Sequence, residues 1–342
     1  MKNYLKSKLP IETYKKIRYP LILKRAVTNF FYDAKSFLSN ATLDSSPHDS
    51  VSYVALITME YHKLEKALAL PSPREVYGLV ISKNILNIIN DNTELAVQCV
   101  EVTATAVKVL EDYQTRISMV DDERCVVLSQ EIEAALVGIK ANIPMLASFI
   151  EHSKGGVIVN AEVGNHSYDF FSEFMRNRKT IRNFTDTPID RGVIEKAVSI
   201  AKYTPSVCNR QPWKTIYIDD KSKMKSALAF QNGNGGFGDN AAGLFIITSS
   251  YKHFPLSGER NQIWVDGGMF SMSLLLALHS CGIAACALNW GNDSFIDKNA
   301  KRSIGISSDD SIVMMIAVGI APDEYKVCES QRRDTSSFIE YL

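Results

Sequence analysis

The chain has 342 residues, enough for two structural units, and a 46% hydrophobic content that can build a sizeable globular core. Lys+Arg and Asp+Glu balance at 38 each, which argues against a nucleic-acid binder relying on global positive charge and leaves only local patches for anions. The cysteines (Cys99, Cys125, Cys208, Cys281, Cys286 and Cys328) form no C-x-x-C pair, so zinc and dithiol readings fail on spacing and a reducing, cytoplasmic setting is expected.

The N-terminal stretch MKNYLKSKLPIETYKK lacks the apolar run of a signal peptide. Residues 1–152 read as an all-α region, with glycine scarce before Gly138. VSYVALITMEYHKLEKALAL, TELAVQCVEVTATAVKVLEDY and SQEIEAALVGIKANIPMLASFI carry apolar residues at mixed three- and four-residue spacing, and Pro144 marks a kink or break in the third. The loops SNATLDSSPHDS and LPSPREVYG punctuate the region. His62, Glu65 and Lys66 share a helix face; one His and one Glu are too few for a metal, so the group reads as a helix-surface ion pair. The stretch HSKGGVIVNAEVGNHSYD, residues 152–169, mixes Gly, Asn and His with a short β-branched run, and residues 153–170 read as a connector.

From residue 171 the texture alternates. DFFSEFMRNR and RGVIEKAVSIAKY are predicted helices, WKTIYIDD a strand, KSKMKSALAF a helix and AAGLFIITSS a buried strand. NQIWVDGGMFSMSLLLALHSCG is a long apolar helix, AACALNW a strand, DSFIDKNAKRSIG a helix and SIVMMIAVGIA a strand. This interleaving predicts an α/β or α+β unit on one sheet. The run from Met269 to Leu288 is interrupted by His279, Ser280 and Gly282, so it reads as a core helix followed by a strand, with no membrane insertion. GNGGFG, Gly233–Gly238, matches G-x-G-x-x-G literally, but a helix precedes it and a strand follows. That is the reverse of the dinucleotide-binding context, and the glycines suit a mobile loop instead. No G-x-S-x-G, P-loop or EF-hand pattern occurs.

Two stretches carry chemistry. MRNRKTIRNF packs Arg176, Arg178, Lys179 and Arg182 around Thr180 in a chain of zero formal net charge. Forked guanidinium donors beside a hydroxyl suit a phosphate, and Arg178, Thr180 and Arg182 would share one side of an extended strand. Exposed charges on an edge strand are the structural alternative. The second stretch, YTPSVCNRQPWKTIYI, sets Asn209 and Gln211 at the entrance to a strand, where their amides offer donors and acceptors to a heteroaromatic edge. A turn with a buried Trp213 is the alternative there.

In series, R-K-T-I-R-x-F, an amphipathic helix, P-S-x-x-N-x-Q-P-W, an apolar D-G-G helix and a C-terminal basic pair resemble the FMN-dependent nitroreductase family, from about Phe171 to Leu342. The resemblance implies an α+β sandwich with a mostly antiparallel central sheet over residues 171–342, built as an intertwined homodimer with FMN at the subunit interface. It places Arg178, Lys179 and Thr180 at the FMN phosphate and Arg182 near the flavin N1 edge. Pro205, Ser206, Asn209 and Gln211 would meet the ring and ribityl chain, and the helix from Asp266 would be the central dimer helix. In SQRRDTSSF, Arg333 and secondarily Arg332 would close on the phosphate; Gln331 stands where many relatives carry Lys. The stretch beside flavin N5 would be LNWGN, with Leu288, Asn289 and Trp290 as cofactor contacts; it departs from the family's Pro-x-Glu-Gly-type segment.

The reaction so implied is FMN-dependent oxidation of NADH or NADPH with ping-pong reduction of a small organic acceptor such as a nitroaromatic or quinone. No protein acid or base is required; Tyr203 and His253 read as structural. YHKLEKALALPSPREVYG is also similar to a segment of nitroreductase-like proteins from bacterial polysaccharide clusters. That suggests an alternative, a non-catalytic binding or assembly module in surface polysaccharide biosynthesis.

Overall fold

The computed structural model describes residues 10–71, 76–158, 164 and 167–342. Part of the loop LPSPREVYG and part of the Gly- and Asn-containing connector, residues 159–163, 165 and 166, therefore lie outside the described residues.

The first half is helical, as expected. Helix α1 spans Ile11–Asn40, α2 Ser50–Leu68, α3 Leu79–Asp91, α4 Thr93–Gln98, α5 Val100–Ile117, α6 Glu123–Asn142 and α7 Leu146–His152. Asp49 starts α2 with a capping box, accepting from the Ser52 backbone N–H at 2.9 Å while Ser52 reaches back. Asp122 caps α6 through the Arg124 N–H. Pro144 falls in the break between α6 and α7, whose axes diverge by 116°. The apolar stripes of α2, α3 and α5–α7 close on a core around Tyr53, Ile57, Leu64, Ile85, Leu110, Tyr113 and Ile132. His62 Nδ1 sits 3.0 Å from Glu65 Oε2, an imidazole–carboxylate contact on the helix face where an ion pair is expected. Glu65 also accepts from the Gly156 N–H at 3.1 Å, tying down the start of the connector.

In the second half, α8 (Tyr168–Asn177) and α9 (Arg191–Ala201) precede β1 (Trp213–Ile218) and α10 (Lys221–Leu228). Then come β2 (Gly243–Ser250), α11 (Gln262–Ser280), β3 (Ala284–Asn289), α12 (Ser294–Ile304) and β4 (Asp310–Gly319). The strands form one antiparallel sheet in the order β1-β2-β4-β3, which makes the unit α+β. Every residue of β2 is buried, which explains its uninterrupted apolar run. Its side chains alternate between two layers. Leu244 and Ile246 pack with Met224, Leu228 and Ala300 of α10 and α12; Phe245 and Ile247 pack with Ala197, Phe270 and Leu274 of α9 and α11. A Cβ on Gly267 would fall 2.6 Å from Val313 Cγ2, so the D-G-G glycine lets α11 approach β4 closely. Among the described residues no single helix is long and apolar enough to cross a membrane.

Helix α1 is seated on this second half rather than on the helical core. Asn29 Nδ2 donates to Asp293 Oδ1 at 2.9 Å, and Tyr32 OH donates to Asp297 Oδ2 at 2.6 Å. Phe37 packs into a small cluster with Tyr251, Phe254 and Ile263. Just beyond the helix, Thr42 Oγ1 donates to the Lys252 carbonyl at 2.6 Å.

Candidate functional site

Helix α8 ends at Asn177, and the chain leaves it extended through Arg178. Thr180 forms a parallel bridge to Ala285 of β3, Ile181 N–H donates to the Ala285 carbonyl at 3.1 Å, and Thr185 N–H reaches the Ile320 carbonyl at 2.8 Å. Phe184 anchors the segment in the core; a Cβ on Gly319 would lie 2.6 Å from its ring. The cationic stretch is thereby held against the free edge of β3.

Opposite it runs the C-terminal tail. Between them lies a cavity of about 640 Å³ lined by Met175, Arg176, Arg178, Lys179, Thr180 and Arg182 on one side and Cys328, Glu329, Ser330, Gln331 and Arg332 on the other. Lys179 lines it as well as its neighbours, so the turn out of α8, and not strand alternation alone, gathers the cations. Five cations face one carboxylate, and the ion pairs among the described residues engage none of the five. Arg182 lies 6.0 Å over the Phe237 ring and donates to Cys328 Sγ at 3.9 Å. Burial pushes the Cys286 thiol up, and the nearby Arg182 charge only partly offsets this. His279, at the end of α11 against Phe174, is pushed down by burial and then by the Arg178 charge. Arg332 belongs to the cavity lining, whereas Arg333 stacks over Phe338 at 4.7 Å.

The second motif sits elsewhere. Pro205, Ser206, Asn209 and Gln211 lead into β1, on the opposite edge of the sheet from Thr180, about 19 Å away across four strand spacings. They are also displaced along the strands. Ala285 aligns through Val318 with Gly243, whereas Trp213 aligns with Ser249, about 20 Å further along β2. Within one chain the two motifs occupy diagonal corners.

The backbone of this second motif is unusual. Cys208, Asn209 and Gln211 have φ of 49°, 53° and 47°, a left-handed conformation that costs each non-glycine residue on the order of 1 kcal/mol. What holds it is Arg210, 2% exposed. Arg210 donates to the carbonyls of Val207 (3.2 Å) and His253 (2.6 Å) and grips both oxygens of Glu259. Asp266, its carboxyl raised chiefly by burial, accepts from the Val207 N–H at 3.3 Å. Ser206 Oγ accepts from the Gln211 N–H at 2.9 Å. Exposed Asn209 and Gln211 amides are thus presented on a fixed frame. Sequence reasoning passed over Arg210 and Glu259; an Arg between polar turn residues gives no local sign that it is buried.

The stretch after β3 is also fixed. Leu288 is buried in the core, the Asn289 side chain is exposed and the Asn289 carbonyl accepts from Gln231 Nε2 at 3.1 Å. Trp290 donates its indole N–H to Asp297 Oδ1 at 2.7 Å, while the other oxygen of Asp297 takes Tyr32 and Lys301. The glycine loop is anchored at several points: Asn234 Nδ2 donates to the Leu228 carbonyl at 2.9 Å, and Asn292 Nδ2 to that of Phe230. Tyr203 is exposed beneath Lys202, and His253 is buried as part of the Arg210 frame. Among the described residues no group of three metal-ligating side chains comes together.

Comparison with known proteins bears on the family of the C-terminal half. The family model described as Nitroreductase family matches residues 175–231 and 219–320. The chain is 33% identical over 175 residues to 5,6-dimethylbenzimidazole synthase of Rhodobacter capsulatus, spanning 44% of this chain and 84% of that protein. It is 25% identical over 197 residues to iodotyrosine deiodinase of Haliscomenobacter hydrossis, spanning 49% and 87%. Among solved structures, an FMN-dependent nitroreductase of Clostridium difficile aligns at 22% identity and a TM-score of 0.42, over 49% of this chain and 96% of that one. Through its C-terminal half, the chain belongs to the nitroreductase family of oxidoreductases.

Proposed function

We propose that this protein is an FMN-dependent NAD(P)H oxidoreductase that reduces a small organic acceptor by ping-pong hydride transfer and works as a homodimer. One observation carries the reading: five cations and a threonine hydroxyl line one cavity, and the ion pairs among the described residues engage none of the five. Such a site is electrostatically unfinished until an anion enters, and Arg forks with Thr180 suit phosphate oxygens. Arg176, Arg178, Lys179, Thr180 and Arg332 would hold the FMN phosphate. Arg182, further along the β3 edge, would place positive charge beside the flavin N1 edge, where fixed charge in a water-poor site is most effective.

FMN supplies the hydride-accepting and hydride-donating centre, and the chain supplies binding, orientation and charge. The Ser206–Gln211 frame would complete the ring end from a second copy, because the diagonal separation exceeds what one chain can close around a single cofactor. Two-fold pairing brings opposite corners together. The stretch from Leu288 to Trp290 would border the reactive edge, with a backbone N–H beside N5.

The test begins with the protein as purified, or loaded with added FMN. Yellow flavin absorbance should be present and should bleach with NADH or NADPH. Arg178→Ala/Arg182→Ala should lose FMN at least tenfold more readily, on the loss of two charge-assisted contacts. Retention unchanged in that variant would remove the site assignment, and a protein that never takes up FMN would remove the function.

A second reading, a non-catalytic binding or assembly module of polysaccharide synthesis, draws on the Trp290 anchorage to helix α1, which commits part of the proposed reactive border to a structural role. FMN retention without NAD(P)H oxidation across quinones and nitroaromatics would favour it.

A further inference from the structure

A second cavity, of about 510 Å³, lies where helix α1 meets α12. Lys35, Ser36 and Ser39 of α1 face Lys298, Lys301 and Arg302 of α12, and no carboxylate lines the space. Lys301 is already committed, 3.0 Å from Asp297 Oδ2 and 7% exposed on its side chain. The others are not. Lys298 lies 4.8 Å over the Tyr32 ring, and the ion pairs among the described residues include neither Lys35, Lys298 nor Arg302. Asp33, on the turn beside Tyr32, faces the Asp297–Lys301 pair and leaves the balance positive.

Three cations with no ion-pair partner among the described residues repel one another around one hollow, and the arrangement is relieved by a ligand with more than one negative charge. A guanidinium fork, two ammonium groups and serine hydroxyls are the donor set of a phosphate site. The volume falls in the range that accommodates a small organic molecule rather than a bare ion. The Tyr32 face is covered by lysines, so aromatic stacking is not what the cavity offers. We propose that the groove between α1 and α12 binds a small organic phosphate, at a site separate from the cation cavity beside β3.

The site has a built-in reporter. Asp297 holds Lys301 and Tyr32 on one oxygen and the Trp290 indole N–H on the other. An anion that draws Lys301 toward the groove changes the charge beside that indole, so occupancy should be visible in Trp290 fluorescence.

The experiment titrates the full-length protein with ribose 5-phosphate and pyrophosphate, using sulfate as the control anion, by calorimetry and tryptophan fluorescence. Saturable binding of at least one phosphate probe, weaker for sulfate, is expected. Lys35→Ala/Arg302→Ala should weaken it roughly tenfold or more, on the loss of two charge-assisted contacts. Both side chains are at the helix surface, and Lys35→Gln/Arg302→Gln, which keeps length and polarity, should behave alike. Trp290→Phe should abolish the fluorescence response while leaving the calorimetric affinity within a few-fold. Arg178→Ala/Arg182→Ala should leave groove binding unchanged even as FMN is lost, which separates this inference from the proposed function. Absence of saturable binding, or affinity that follows Arg178 and Arg182 instead of Lys35 and Arg302, would overturn it.

Discussion

Replacing Arg210 by Met tests the frame that presents Asn209 and Gln211. The guanidinium is wholly buried, and Glu259 is 12% exposed on its side chain. Met fills much of the volume over Phe254, above whose ring the guanidinium lies at 5.5 Å. What is lost is therefore mostly polar. The variant strands a nearly buried carboxylate and strips donors from two carbonyls, so breaking this buried pair should cost about 3–5 kcal/mol. That is a large share of the ~5–15 kcal/mol that keeps a domain folded. Urea unfolding followed by far-UV circular dichroism should show a lowered midpoint with little change in slope. Arg210→Met/Glu259→Leu should recover most of the loss, because removing both partners of a buried pair is close to neutral. If the single variant costs under about 1 kcal/mol, or the double variant is no better than the single, the pair is not what supports the left-handed turn.

Acid should unfold the protein partly through His253. Burial, and secondarily the Arg210 charge, lower its pKa from 6.5 to about 4. From pH 6.5 down to about 4 the unfolded chain takes up a proton that the folded chain refuses, so stability falls across that window. Once both forms are protonated the loss stops, and its total is at most about 3 kcal/mol. His253→Gln should flatten that limb in a series of urea titrations; an unchanged limb would clear His253 of the effect. Gly319→Ala should drive a Cβ to 2.6 Å from Phe184, costing about 1–3 kcal/mol. It should also loosen FMN, because Phe184 anchors the cationic segment; tight FMN retention would show that the anchor does not matter.

The elements of the second half were legible because their patterns are local. The unbroken apolar run from Gly243 announced a strand covered on both faces, and Gly282 stopped α11 where expected. The cationic cluster was legible for the same reason: its residues are neighbours in sequence and stay neighbours in the cavity. Strand order is not local, so nothing in P-S-x-x-N-x-Q-P-W told that it would stand at the corner diagonal to those cations. Arg210 was missed because Glu259 is 49 residues away. In the tail, Ser330 adopts a left-handed φ of 52°, a turn that sequence did not reveal just before the two arginines; Arg332 lines the cavity and Arg333 lies over Phe338.

The seat of helix α1 has a bearing on how the molecule is made. Asn29 and Tyr32 leave the ribosome well ahead of their partners Asp293 and Asp297, which follow 264 and 265 residues later. At about 5–20 residues per second, the helix waits on the order of ten seconds to a minute before its dock is synthesised. During that interval the helical core can close without it, so α1 stays tethered and undocked until α12 has been translated. A nascent chain stalled before residue 293 would carry that helix undocked.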